Sequence, residues 1–124
     1  MASHPSFSIV APVYGVERYI ANCADSLLGQ TYDNIQFIFV NDGTKDASIA
    51  LLEKLIDEKY SFLKDRIVIV NKHNEGLPAA RRTGMEYVTG DYVLHVDSDD
   101  WLESDAIEKL AAVAAATQAP AVTP

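Results

Sequence analysis

Gly90-Asp91-Tyr92-Val93-Leu94-His95-Val96-Asp97-Ser98-Asp99-Asp100-Trp101 joins an apolar, β-branched run to three carboxylates packed into four positions. Such a run is the pattern of a strand buried on both faces of a parallel sheet. Open α/β sheets bind their ligands at the carboxyl ends of strands, which is where Asp97, Asp99 and Asp100 fall. Side chains alternate along a strand, so Asp97 and Asp99 share one side if the extended geometry persists that far. Two acids on one side repel each other unless a cation lies between them, and oxygen ligands suit Mg²⁺ or Mn²⁺. Turn and helix-capping duty is the competing reading of the same acids.

Upstream of this stretch, strand and helix signals alternate. An apolar run from Phe7 is broken by Pro12, which predicts a first strand ending near Ala11. Val16, Tyr19, Ile20, Cys23, Ala24, Leu27 and Leu28 recur at helical spacing as far as Gly29. Residues 35–40 form a second strand, closed by the turn signal Asn41-Asp42-Gly43. Asp46 is placed to cap a second helix with an apolar stripe of Ile49, Leu52, Leu55, Ile56 and Tyr60. Residues 67–70 make a third strand, and Asn74-Glu75-Gly76 a loop. A third helix starts near Leu77, tolerates Pro78 in its first turn and is closed by Gly90. The fourth strand covers residues 91–96. Ser104 is placed to cap an alanine-rich helix over residues 106–116, and residues 117–124 read as a frayed tail.

The alternation implies an α/β, Rossmann-like fold: a mainly parallel sheet with helices on both faces and strand order 3-2-1-4. In that order the switch point lies between the first and fourth strands. The loops Pro12-Val13-Tyr14-Gly15 and Asp97-Ser98-Asp99-Asp100 end those two strands, so topology and chemistry point to one place.

Residues 1–124 are the size of a single domain, and 48% hydrophobic content is enough for a modest core. The net charge of -8 argues against nucleic acid, whose phosphates need clustered Lys and Arg. A divalent metal would still let an acidic protein hold a phosphorylated ligand. Cys23 is the only cysteine, so no intrachain disulfide forms, and its place on an apolar stripe marks a buried thiol rather than a nucleophile. Neither a membrane-length apolar stretch nor a secretory h-region is present, which gives a cytoplasmic expectation, with peripheral association at the inner face of the membrane.

Other strand ends supply further candidates. Asp42 closes the second strand, where a carboxylate would accept from a uracil N3–H or from ribose hydroxyls; ordinary turn chemistry is the alternative. Arg81 and Arg82, early in the third helix, either clamp a phosphate or simply point to solvent. Tyr14 is placed to stack on a base, whereas Tyr19 and Tyr32 read as packing residues and His73 and His95 as structural ones. Neither Gly-x-Gly-x-x-Gly nor a Walker lysine loop occurs, which weighs against dinucleotide-binding and P-loop enzymes.

Four segments, in order and spacing, resemble the nucleotide-binding half of the family 2 glycosyltransferases, which have the GT-A fold. They are Ile9-Val10-Ala11-Pro12-Val13-Tyr14, Val40-Asn41-Asp42-Gly43-Thr44-Lys45-Asp46, Asn74-Glu75-Gly76-Leu77-Pro78-Ala79-Ala80-Arg81, and Gly90-Asp91-Tyr92 through Asp100. The resemblance implies that Pro12, Val13, Tyr14, Glu17 and Asp42 line the nucleoside pocket and that Arg81 holds the nucleotide end of the donor. It implies that Asp97-Ser98-Asp99 is an Asp-x-Asp motif, with Asp99 as metal ligand and Asp97 between ribose and metal. Gly15, Asn41 and Arg82 depart from the residues usual in the family.

The implied activity is the donor-binding portion of an inverting glycosyltransferase. Its partners would be a nucleotide-sugar donor, UDP-linked, and a glycan or lipid-linked acceptor in polysaccharide synthesis. A non-catalytic nucleotide-binding module or an inactive remnant is the alternative. The resemblance also implies a further half beyond the metal motif, carrying the acceptor site and the base. Residues after 110 offer no base, and Asp100 is the only nearby acid, so the catalytic base is left unassigned. Trp101, Leu102, Leu110 and Val113 lack evident partners in the sequence, and a homodimer across the fourth strand would cover them.

Overall fold

The computed structural model describes residues 4–117. Four parallel strands, β1 (Phe7–Val13), β2 (Ile35–Asp42), β3 (Ile67–Lys72) and β4 (Tyr92–His95), lie in the order β3-β2-β1-β4. Between and after them run α1 (Ile20–Leu28), α2 (Ser48–Lys59), α3 (Leu77–Met85) and α4 (Ala106–Thr117). The expected doubly wound α/β arrangement is therefore present. The tail expected over residues 117–124 lies, beyond Thr117, outside the described residues.

Side-chain alternation sorts the two layers of core. Phe7, Ile9, Ala11 and Val13 of β1 and Phe37 and Phe39 of β2 face α1, α2 and α4. Val10, Ile38, Val40, Val70 and Val93 face the other way, against α3 and its Ala80. Every residue of β1 is buried, as a central strand covered on both faces requires. Gly84 lets α3 approach closely: a Cβ there would lie 2.4 Å from Val10 Cγ1.

Several boundaries differ from the sequence expectation for physical reasons. Strand β1 continues through Pro12 to Val13 instead of ending near Ala11. The Pro12 carbonyl faces the β4 side, where it accepts the Ser98 hydroxyl, and pairing with β4 has already stopped at Val10 and His95. The N–H that proline lacks would have pointed there too, so no ladder bond is lost. Strands β2 and β3 each run two residues further than expected, pairing Asn41 with Asn71 and Asp42 with Lys72. A 3₁₀ turn at Ser61–Arg66, which carries no periodic signal, leads into β3. Helix α3 ends at Met85, not Gly90, through tightening bonds from Glu86 N–H to Thr83 and Tyr87 N–H to Gly84. Gly90 instead lets the chain pass beside β1, since a Cβ there would meet the Phe7 and Ser8 backbone at 2.8 Å.

Two packing expectations are also revised. Tyr19 is half-exposed rather than packed, whereas Tyr32 meets Phe7 edge to face and donates its hydroxyl to the Pro5 carbonyl. Helix α4 is not left uncovered: Ile107, Ala111 and Ala114 are buried in the larger core, and Leu102 packs against it. Trp101 and Val113 remain largely exposed. Among the described residues no helix is long and apolar enough to cross a membrane.

Candidate functional site

The carboxyl ends of β1, β2 and β4 and the loop after β3 enclose a cleft of about 440 Å³, lined by Pro12, Tyr14, Val16, Asp42, Asn74, Gly76, Leu77, Asp97, Ser98 and Asp99. It lies at the switch point between β1 and β4, where opposite crossover directions leave a crevice.

Its acidic wall is made by a turn, not by continued strand. Strand β4 ends at His95, and the Asp100 N–H closes back on the Asp97 carbonyl at 2.9 Å. The alternation argument for Asp97 and Asp99 therefore does not apply, yet the turn still brings carboxylate oxygens of Asp97, Asp99 and Asp100 within 4.8 Å of one another. Ser98, buried inside the turn, pins it to β1 by donating to the Pro12 carbonyl at 2.5 Å. Three converging carboxylates fit a hard divalent cation such as Mg²⁺ or Mn²⁺, with Asp99 and Asp100 exposed to solvent. Cys23 lies beneath the turn; burial, then the charges of Asp100, Asp99 and Asp97, push its thiol up to about 12, so it stays protonated.

Arg81, on α3, donates from Nη2 to Asp97 Oδ1 at 3.0 Å, which places a guanidinium beside the acids. Its Nε is buried without a partner, as is His95 Nδ1. Burial first, then the Arg81 charge, hold the His95 imidazole below the usual histidine range. Arg82, one position on, points to solvent.

The opposite wall is anchored by Asp42, which is almost wholly buried. Its carboxylate accepts the Glu75 N–H at 3.0 Å and the Gly76 N–H at 3.1 Å, with Lys72 Nζ and Asn74 Nδ2 each at 3.4 Å. Asp42 thus fixes the 74–76 loop as well as lining the cleft. That loop needs Gly76, whose φ of 95° leads straight into the first turn of α3. Lys72 reinforces it by pairing with Glu75 at 2.6 Å.

Of the residues expected at the site, Pro12, Tyr14, Asp42, Asp97, Ser98 and Asp99 line the cleft, and Arg81 reaches it through Asp97. Tyr14 stands exposed at the rim, its ring free to stack. The Val13 side chain is buried in the core, leaving only its backbone near the cleft. Glu17 points to solvent just beyond the Tyr14 loop. Val16, Asn74, Gly76 and Leu77 also line the cleft; the last three fall in a segment that carries the family resemblance but are given no site role by it.

A cleft with these walls at the switch point of a 3-2-1-4 sheet defines the GT-A class of fold. Residues 8–124 match the profile of glycosyl transferase family 2, and the chain belongs to that family. Over 103 residues it is 44% identical to glycosyltransferase GlyA of Streptococcus pneumoniae serotype 4, covering 83% of this chain and 14% of that protein. Over 106 residues it is 41% identical to the putative glycosyltransferase EpsH of Bacillus subtilis, covering 86% of this chain and 29% of that protein. The chain therefore spans less than a third of either relative. The crystal structure of Staphylococcus aureus TarS 1–349 in complex with UDP-GlcNAc superposes with a TM-score of 0.81 at 26% identity, over 91% of this chain and 32% of that one. The Pyrobaculum calidifontis mannosyltransferase PcManGT, solved with GDP-Man and Mn²⁺, shares the fold with a TM-score of 0.76 at 19% identity, over 90% and 32%.

Proposed function

We propose that the cleft binds the nucleoside diphosphate end of an activated sugar, UDP-linked, and that the whole protein transfers the sugar with inversion to a hydroxyl of a glycan or lipid-linked acceptor. The observation that carries this reading is one cleft with a stackable Tyr14 and the buried Asp42 on one side and three carboxylates on the other. A base fits between the Tyr14 ring and the Asn74–Leu77 wall, where Asp42 and Asn74 offer polar edges. The likeness to TarS, a protein seen with UDP-GlcNAc, supports uridine over other bases.

Asp97 and Asp99 would hold Mg²⁺ or Mn²⁺, with Asp100 near enough to complete the set. A divalent ion there supplies positive charge to the diphosphate as it leaves. Arg81 adds a fixed cation on the same side. The acceptor class implies work at the cytoplasmic face of a membrane.

Calorimetric titration with UDP, CDP and GDP in Mn²⁺ tests the reading. UDP is expected to bind most tightly. Binding of none of the three would remove the reading, and preference for GDP would reassign the base.

A further inference from the structure

We infer that Asp46, which is not among the residues lining the cleft, is the positioning residue for the nucleoside wall, fixing the Tyr14–Glu17 loop through two hydroxyl groups and one direct bond. The inference rests on the nucleotide reading above. Three consecutive backbone N–H groups of that loop end on side chains from the turn before α2 and from its first residue. Gly15 N–H donates to Thr44 Oγ at 2.9 Å, Val16 N–H to Ser48 Oγ at 3.0 Å, and Glu17 N–H to Asp46 Oδ2 at 3.2 Å. A hydroxyl has one proton and can accept only with its remaining lone pairs. Thr44 and Ser48 both give that proton to Asp46 Oδ1, at 2.7 and 2.6 Å, so their lone pairs are turned toward Gly15 and Val16.

One carboxylate therefore sets the direction of all three contacts. The same Oδ1 also accepts the Ser48 N–H at 3.0 Å, which ties the arrangement to the first turn of α2. Ser48 is fully buried, so its hydroxyl has no water to turn to if Asp46 is lost. The loop held in this way carries Tyr14 and Val16 into the cleft. Binding to a wall that is already ordered loses less conformational entropy than binding to one that must be ordered by the ligand.

The variants separate the arms. Asp46→Asn keeps an oxygen for the two hydroxyls but sets an NH₂ against the Glu17 N–H. Thr44→Val cuts only the Gly15 arm, and Asp46→Ala cuts the Glu17 arm and releases the two hydroxyls that hold the other two. Uridine, UDP and Mn²⁺ are titrated separately against the unaltered chain and each variant. Asp46→Ala is expected to weaken uridine and UDP alike by about tenfold, the scale of one charge-assisted hydrogen bond. The Asn and Val variants should fall between it and the unaltered chain. Mn²⁺ affinity without nucleotide should not change, because the bonds set by Asp46 end on Gly15, Val16 and Glu17 and on none of the three acids of the turn. If Asp46→Ala does not fold, the two milder variants carry the same comparison. Unchanged uridine affinity in the variants, with the unaltered chain binding normally, overturns the inference and leaves the nucleotide reading standing. A parallel loss of Mn²⁺ affinity also overturns it, by showing general disruption. Absence of uridine and UDP binding in the unaltered chain removes the nucleotide reading itself, and the inference with it.

Discussion

Arg81 and Asp97 meet beside the cleft at 3.0 Å, an ion pair linking α3 to the acidic turn after β4. Both side chains are about two-fifths exposed, so the pair contributes little to stability, and its effect is on charge at the site. It ties up one oxygen of a carboxylate that a metal would also claim.

Opposite responses to one substitution follow from this pairing. Arg81→Gln frees Asp97 and leaves the turn more negative, so Mn²⁺ alone should bind more tightly. UDP, losing a cation near its phosphates, should bind more weakly. Separate titrations with Mn²⁺ and with UDP check the pair of signs. Movement of both affinities in one direction would contradict the assignment of Arg81 to the donor side.

Asp42 predicts a coupled loss of stability and binding. Asp42→Ala leaves the Glu75 and Gly76 N–H groups and Lys72 without their common acceptor in a buried place. A cost of about 2–4 kcal/mol in urea unfolding is expected, from losing charged hydrogen bonds and stranding their donors. Uridine and UDP affinity should fall together, since the 74–76 loop forms the nucleoside wall. A fully stable variant with unchanged uridine affinity would show that the loop holds without it.

The acid stability of the chain carries a signature of Asp46. Hydrogen bonds from Ser48, then Thr44, hold its carboxyl down to about 2 in the folded state. The unfolded chain, with an ordinary aspartate pKa of about 4, takes up the proton first as pH falls. The stabilisation is therefore complete above about pH 4 and disappears as pH drops through about 2. Urea midpoints of the unaltered chain and Asp46→Ala should differ by a constant amount from pH 7 to 5 and converge below pH 4. Convergence already between pH 7 and 5 would place the protonation elsewhere.

Most of the fold was legible because its signals are local. Buried strands such as β2 show as continuous apolar runs, and α1 shows as a stripe whose buried members, Ile20, Cys23, Ala24, Leu27 and Leu28, all carry the expected spacing. What escaped depends on neighbours far away in sequence. Pro12 continues a strand only because β4 has already ended beside it, and Gly90 serves the backbone of β1 rather than the end of α3. The acids of the site were visible as a cluster, but their geometry was not: a turn at 97–100, rather than strand alternation, gathers them. Asp46 read as the cap of α2; the N-cap is Ala47, and Asp46, one position earlier, accepts the Ser48 N–H instead. Its hold on Glu17, twenty-nine positions away, is a property of the folded chain alone.

Titration of UDP in Mn²⁺ and again in EDTA, on the unaltered chain and on Asp99→Asn, tests the central claim most directly. The claim is that the acidic turn repels a diphosphate until a divalent cation bridges them. UDP should bind much more tightly in Mn²⁺ than in EDTA, and Asp99→Asn should remove most of that difference, at a cost on the order of 1–3 kcal/mol of binding in Mn²⁺. Equal affinity in Mn²⁺ and EDTA for the unaltered chain would contradict it.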